Sequence, residues 1–136
     1  MRYSTILFDF DYTLADSSRG IVMCFRKVLT NHQFVNITAD AIKRTIGNTL
    51  DDSFAMLTGI NDREKLSDLR KEYSQEASIY MSKNTYLFPE SKSMLETLKS
   101  NGIRIGIIST KYRYRIIEFL ELHFPPNFFN IIVGGE

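Results

Sequence analysis

The chain has 136 residues, 43% of them hydrophobic, with 17 Lys and Arg against 16 Asp and Glu. That is the size of one ordinary domain with enough apolar material for a core, which excludes a disordered chain. The near-neutral balance argues against broad binding to nucleic acid or a membrane surface, while small anionic ligands need only local positive charge.

The first expected element is a short strand over residues 4–9, in which "ILFDFDYTLADS" runs three apolar residues into Asp9 and then Asp11 and Thr13. From about 16 to 32, Ile21, Val22, Cys24, Phe25, Val28 and Leu29 recur at helical spacing, with Asp16 and Ser17 as N-cap types ahead of them. "NITADAIKRTIG" begins a second helix, with Thr38 as its cap and Gly47 as its stop. "TLDDSFAMLTG" reads as a third, whose acids Asp51 and Asp52 suit a helix start. "DREKLSDLRKEYSQEASIYMSK" reads as a long, charged fourth. The pattern then changes. "YLFPESKSMLETLKSNG" is a helix with Met94, Leu95 and Leu98 on one face and a stop at Gly102. "IRIGIIST" is β-branched and almost continuously apolar, as in a strand buried on both faces. "YRYRIIEFLELHF" is helical, "PPN" breaks it, and "FFNIIVGGE" is a last strand.

Strands alternating with helices imply an α/β fold with a parallel sheet and right-handed crossovers. Four helices after the first strand are too many for a crossover, so they are expected to form an inserted helical domain. The expected division is a Rossmann-like core of residues 1–15 and 84–136 around a helical unit of residues 16–83. The lone Cys24 lies in an apolar helical pattern and reads as a buried small hydrophobe. His32 and His123 are each isolated and read as surface or capping residues. No run approaches the roughly 18 apolar residues that span a bilayer. Only a short apolar run separates Arg2 from Asp9, so no signal peptide is expected, and the expected location is the cytoplasm.

In open parallel sheets, ligands sit beyond the carboxyl ends of the strands. Asp9 falls at that end of the first strand, and Ser109, Thr110 and Lys111 at that end of the second. Close like charges repel, so a carboxylate pair there calls for a cation or strong donors. Mg²⁺, satisfied by oxygen, is the natural candidate. A carboxylate beside it can attack phosphorus. A second one can protonate the leaving oxygen and later take a proton from water. A hydroxyl and an ammonium from the second strand can hold the phosphoryl oxygens.

"ILFDFDYTLADS" resembles the first motif of the haloacid dehalogenase (HAD) superfamily, an apolar strand followed by Asp-x-Asp-x-Thr. "IRIGIISTK" resembles its second motif, and the helical insertion is similar to that family's C1 cap. "TIGNTLDDSFAMLTG" and "LFPESKSMLETLKSNG" further resemble the phosphoglycolate phosphatase-like branch. The resemblance implies a HAD-like Rossmannoid fold and Asp9 as nucleophile, with Asp11 as general acid/base. It also implies Mg²⁺ held by the Asp9 side chain and the Asp11 carbonyl, Ser109 and Thr110 at the phosphoryl group, and Thr13 supporting the loop. Dehalogenases of this superfamily lack the second aspartate, so Asp11 favours phosphoryl transfer. Many relatives have Gly where Tyr12 stands. Lys111 matches a lysine often found in this branch; it either lines the phosphate site or starts a solvated helix.

The expected activity is Mg²⁺-dependent hydrolysis of a small phosphomonoester through an aspartyl-phosphate. The alternatives are a sugar phosphomutase of the same superfamily and a non-catalytic fragment. The expected partner is a small phosphorylated metabolite, with no nucleic acid and no membrane. The family's third and fourth motifs follow the third strand, and "NIIVGGE" resembles the segment just before them, so the chain is expected to be truncated. The first strand would then be a sheet edge, which invites a dimer or a swapped assembly.

Overall fold

A computed structural model describes residues 2–136. Two compact units divide the chain: Met1–Asp16 with Tyr86–Glu136, and Ser17–Thr85.

The first unit is built on a parallel sheet. β1 (Thr5–Phe8) opens it and ends just before Asp9. The next turn is tied to one carbonyl: the N–H groups of Thr13, Leu14 and Ala15 lie 3.1, 3.0 and 3.3 Å from the oxygen of Phe10. Tyr12, inside that turn, has φ 64°, the left-handed region that suits glycine better than a side-chain-bearing residue. β2 (Ala15–Asp16) follows directly.

After the helical unit the chain returns in β3 (Tyr86–Leu87), which pairs antiparallel with β2 through Ala15–Leu87 and Asp16–Tyr86. α5 (Ser91–Ser100), β4 (Arg104–Ile108), α6 (Arg113–His123) and β5 (Ile131–Val133) complete the unit. The sheet order is β1-β4-β5, all parallel. Leu7 is level with Gly106 and Ile131, and Phe8 with Ile107 and Ile132.

Alternation along each strand sends Phe8, Ile105, Ile107 and Ile132 to one side. There they join Leu95, Ile116, Phe119, Leu120, Phe124 and Phe128 in one core. The opposite side carries Leu7, Ile108, Ile131 and Val133, which are between 42% and 51% exposed. β4 therefore departs from the sequence expectation of burial on both faces. Ile105, Gly106 and Ile107 are buried, but Ile108 is open. Gly106 is covered by its neighbours in the sheet, since an added Cβ would stand 2.5 Å from Ile131 Cγ2 and 2.7 Å from Leu7 Cδ2.

The second unit comprises α1 (Ser18–Asn31), α2 (Ala39–Lys43), α3 (Leu50–Thr58), α4 (Arg63–Tyr80) and a 3₁₀ turn over Ser82–Asn84. Thr38, Thr49 and Asp62 cap α2, α3 and α4 with their side-chain oxygens, as residue types of this kind should. α2 is shorter than expected: it stops at Lys43, and Gly47 lies beyond it at φ 108°. The core gathers Phe25, Phe54 and Tyr73, whose ring centroids lie 4.7 to 6.2 Å apart, with Cys24, Val28, Leu29 and Ile42. His32 bonds Glu72, and Arg70 grips both oxygens of Asp51 at 2.9 and 2.8 Å. His123, in the other unit, packs its ring 4.3 Å from that of Phe119. No helix among the described residues is long and apolar enough to cross a membrane.

Candidate active site

The carboxyl ends of β1 and β4 lie side by side because these strands are parallel neighbours. Continuing their register one step past Phe8 and Ile107 brings Asp9 level with Ile108. The acids leave β1 on alternate residues, with Phe10 between them. Phe10 is fully buried and packs edge-on against Phe119 at 5.5 Å. That anchor holds the strand tip while both flanking residues turn away from the core. Asp9 is exposed, and its Oδ1 accepts the Phe10 N–H at 2.7 Å.

Asp11 is in a different setting. Its side chain is 13% exposed, and its Oδ1 lies 3.2 Å from Nζ of Lys111, whose own side chain is 9% exposed. The Lys111 ammonium also stands 5.9 Å from the centroid of the Phe10 ring, within reach of a cation–π contact. Lys111 thus reaches from the turn after β4 to the loop after β1 with its side chain largely buried.

The turn after β4 is fixed by its backbone. Ser109 N donates to Val133 O at 3.0 Å, Lys111 N to Ser109 Oγ at 3.1 Å, and Gly135 N to Lys111 O at 3.0 Å. The Ser109 hydroxyl, accepting from Lys111 N, still has its proton to offer an anion. Gly135 passes so near the turn that an added Cβ would fall 2.0 Å from Thr110 O. Thr110 is exposed on this turn. The carboxylate of Glu136 accepts the Arg113 N–H at 2.9 and 2.7 Å. That backbone bond holds the Glu136 carboxyl below the usual carboxylate range.

Of the residues singled out from sequence, Asp11, Ser109 and Lys111 are joined by hydrogen bonds, and Asp9 shares the strand tip with Asp11. Thr13 is exposed and serves the turn through its backbone N–H. Sequence reasoning missed three supports. Phe10 could have been found, because an apolar residue between two acids must alternate inward. The bonds from Phe88 N and buried Ser91 Oγ to Leu14 O, at 3.1 and 2.7 Å, carry no local signal. Neither does the Glu136 cap.

Among the described residues no three of His, Cys, Asp and Glu gather as a metal cage. Mg²⁺ does not require one, since it commonly takes one or two carboxylates and completes its shell with substrate phosphate and water. The exposed Asp9 carboxylate at the strand tip meets that pattern.

The family model for haloacid dehalogenase-like hydrolases matches residues 6–136. The chain belongs to the haloacid dehalogenase-like hydrolase family. It is 29% identical over 132 residues to a phosphoglycolate phosphatase of Aquifex aeolicus (strain VF5), covering 96% of this chain and 60% of that protein. It is 28% identical over 136 residues to the pyrophosphatase PpaX of Bacillus cereus (strain Q1), covering 98% and 60%. A crystal structure described as a haloacid dehalogenase-like hydrolase from Bacteroides fragilis superposes with a TM-score of 0.96 at 61% identity. That match covers 98% of this chain and 64% of the other. The chain thus spans 60% of the length of both curated relatives.

Proposed function

We propose that the strand-tip site serves a Mg²⁺-dependent phosphatase that hydrolyses a small phosphomonoester through a phosphoaspartate at Asp9. The observation that carries this reading is the pairing of two acids on one strand tip in unlike settings. One is exposed; the other is held by an ammonium from the turn after the neighbouring strand. Two carboxylates in different environments suit two different roles.

Asp9 is the nucleophile. Its carboxylate oxygen forms a bond to phosphorus as the ester P–O bond breaks, and Asp11 gives its proton to the departing oxygen. Asp11, now a carboxylate, takes a proton from the water that attacks the phosphoaspartate, which restores both acids. The Ser109 hydroxyl donates to the phosphoryl oxygens, with backbone N–H groups near Asp11 and Thr110 helping. Thr13 keeps the loop after β1 in place. When bound, Mg²⁺ offsets the negative charge shared by Asp9 and the phosphate, with the Asp9 side chain and the Asp11 carbonyl as its protein ligands.

The names of the two curated relatives suggest phosphoglycolate and pyrophosphate as the first compounds to screen beside generic phosphomonoesters. The decisive measurement is turnover of an aryl phosphate by the full-length protein, with and without Mg²⁺. Metal-dependent release of phosphate is expected, falling to background in Asp9→Asn. Asp11→Asn should slow an alkyl phosphate by about 10²–10⁴-fold, the usual worth of a placed acid/base. Turnover that survives Asp9→Asn overturns the assignment.

A further inference from the structure

We propose that Lys111 is the positioning residue for Asp11, holding one carboxylate oxygen so that the other carries the proton to the leaving group. The inference rests on the phosphatase reading above and deepens it. The pair bridges the loops after β1 and β4, at 3.2 Å between Nζ and Oδ1. Both side chains are largely withdrawn from water, at 9% and 13% exposure. A surface ion pair in that geometry would be worth little. Here the screening is reduced, and the lysine is held at its backbone and at its ammonium. Its N–H is bonded to Ser109 Oγ, its carbonyl accepts from Gly135 N, and its ammonium lies near the Phe10 ring. A lysine whose backbone is tied at both its N–H and its carbonyl places its ammonium on Asp11.

The consequence is chemical as well as geometric. As Asp11 hands its proton to the departing oxygen it becomes a carboxylate, and the adjacent ammonium stabilises that charge as it develops. This help matters only where the leaving oxygen needs a proton. An alkoxide needs one as the P–O bond breaks; a nitrophenolate does not. A lysine acting on the phosphate itself would assist both alike.

The test compares kcat/KM of the full-length protein on glycerol phosphate and on p-nitrophenyl phosphate. The kcat/KM value reports the steps up to release of the leaving group. Lys111→Met should lower the alkyl-to-aryl ratio by about 10- to 100-fold, part of the range for a general acid. Lys111→Arg should recover most of that ratio. In an Asp11→Asn background, adding Lys111→Met should produce no further fall in the ratio, because residues acting through one another are not additive. A crystal structure of Lys111→Met should show the Asp11 carboxylate turned from its present position. Equal loss on both substrates, or additive losses in the double variant, would overturn the proposal. Asp9→Asn separates the two levels of argument. If it is inactive and the alkyl-to-aryl ratio is unmoved by Lys111→Met, only the positioning role fails. If Asp9→Asn stays active, the site reading fails and takes this inference with it.

Discussion

Tyr12 shows how much the loop after β1 asks of single residues. The turn after β1 needs a left-handed backbone between Asp11 and Thr13, and the residue supplied is tyrosine, at φ 64°. A side-chain-bearing residue in that conformation costs about 1–2 kcal/mol. Glycine removes the clash but releases more freedom in the unfolded chain, a cost of about 0.5–1 kcal/mol. Tyr12 is 47% exposed, so little packing is lost with the ring. Tyr12→Gly should therefore raise the unfolding free energy by up to about 1.5 kcal/mol, the difference between those two terms. Urea denaturation at constant m-value reads it directly, and a loss of stability would show that the ring does more than the backbone strain implies.

At the scale of elements, α6 begins without help from its own sequence. Tyr112, at its N-cap position, makes no side-chain capping bond. The cap comes instead from Glu136, whose carboxylate accepts the Arg113 N–H. A negative group suits the positive end of a helix, and the bond holds the Glu136 carboxyl below its usual range. The sign of the pH dependence follows. A depressed folded-state value means the stabilisation is present above the usual glutamate range and is lost as pH falls through the lower folded value. The melting-temperature difference between the parent protein and Glu136→Gln should be largest near neutral pH and shrink on acidification below that range. It should be small throughout and reduced by salt, because the group is exposed. A difference independent of pH would assign it to something other than this charge. The same helix marks the limit of what could be read from sequence. The apolar spacing of α1, α5 and α6 was legible, because each repeats every three or four residues. So were the caps Thr38 and the acids of α3. The β2–β3 pairing was not: it has two residues per strand, and its partners Ala15 and Leu87 are separated in sequence by the whole helical unit. The site divides in the same way. Asp9, Asp11 and Ser109 could be placed at strand ends from the order of elements. The bonds from Lys111 to Asp11 and from Glu136 to Arg113 depend on how the turns fold back.

At the scale of the whole molecule, the described residues form two cores that share no residue. One gathers Phe25, Phe54 and Tyr73 within Ser17–Thr85; the other packs Phe10, Ile105, Ile107, Ile116 and Phe119 beside the sheet. The sequence indicated the change from a helical block to alternating strands and helices. It did not indicate that the sheet would leave Leu7, Ile108, Ile131 and Val133 open, because a buried β4 centre and an exposed face give the same apolar string. Separate cores have a mechanical consequence. Phe54 is fully buried, with Phe25 at 4.7 Å and Tyr73 at 6.2 Å between ring centroids. Phe54→Ala removes the ring from among neighbours that cannot all close in, at a cost of about 3–5 kcal/mol. Phe25 and Tyr73 both belong to the helical unit, so the destabilisation should be local. Hydrogen exchange should show amides of α1, α3 and α4 losing protection by that amount, while those of β4 and α6 change far less. An equal loss at Ile107 and Phe119 would mean that the two cores unfold as one, and that the tip of β1 depends on the helical unit for its stability.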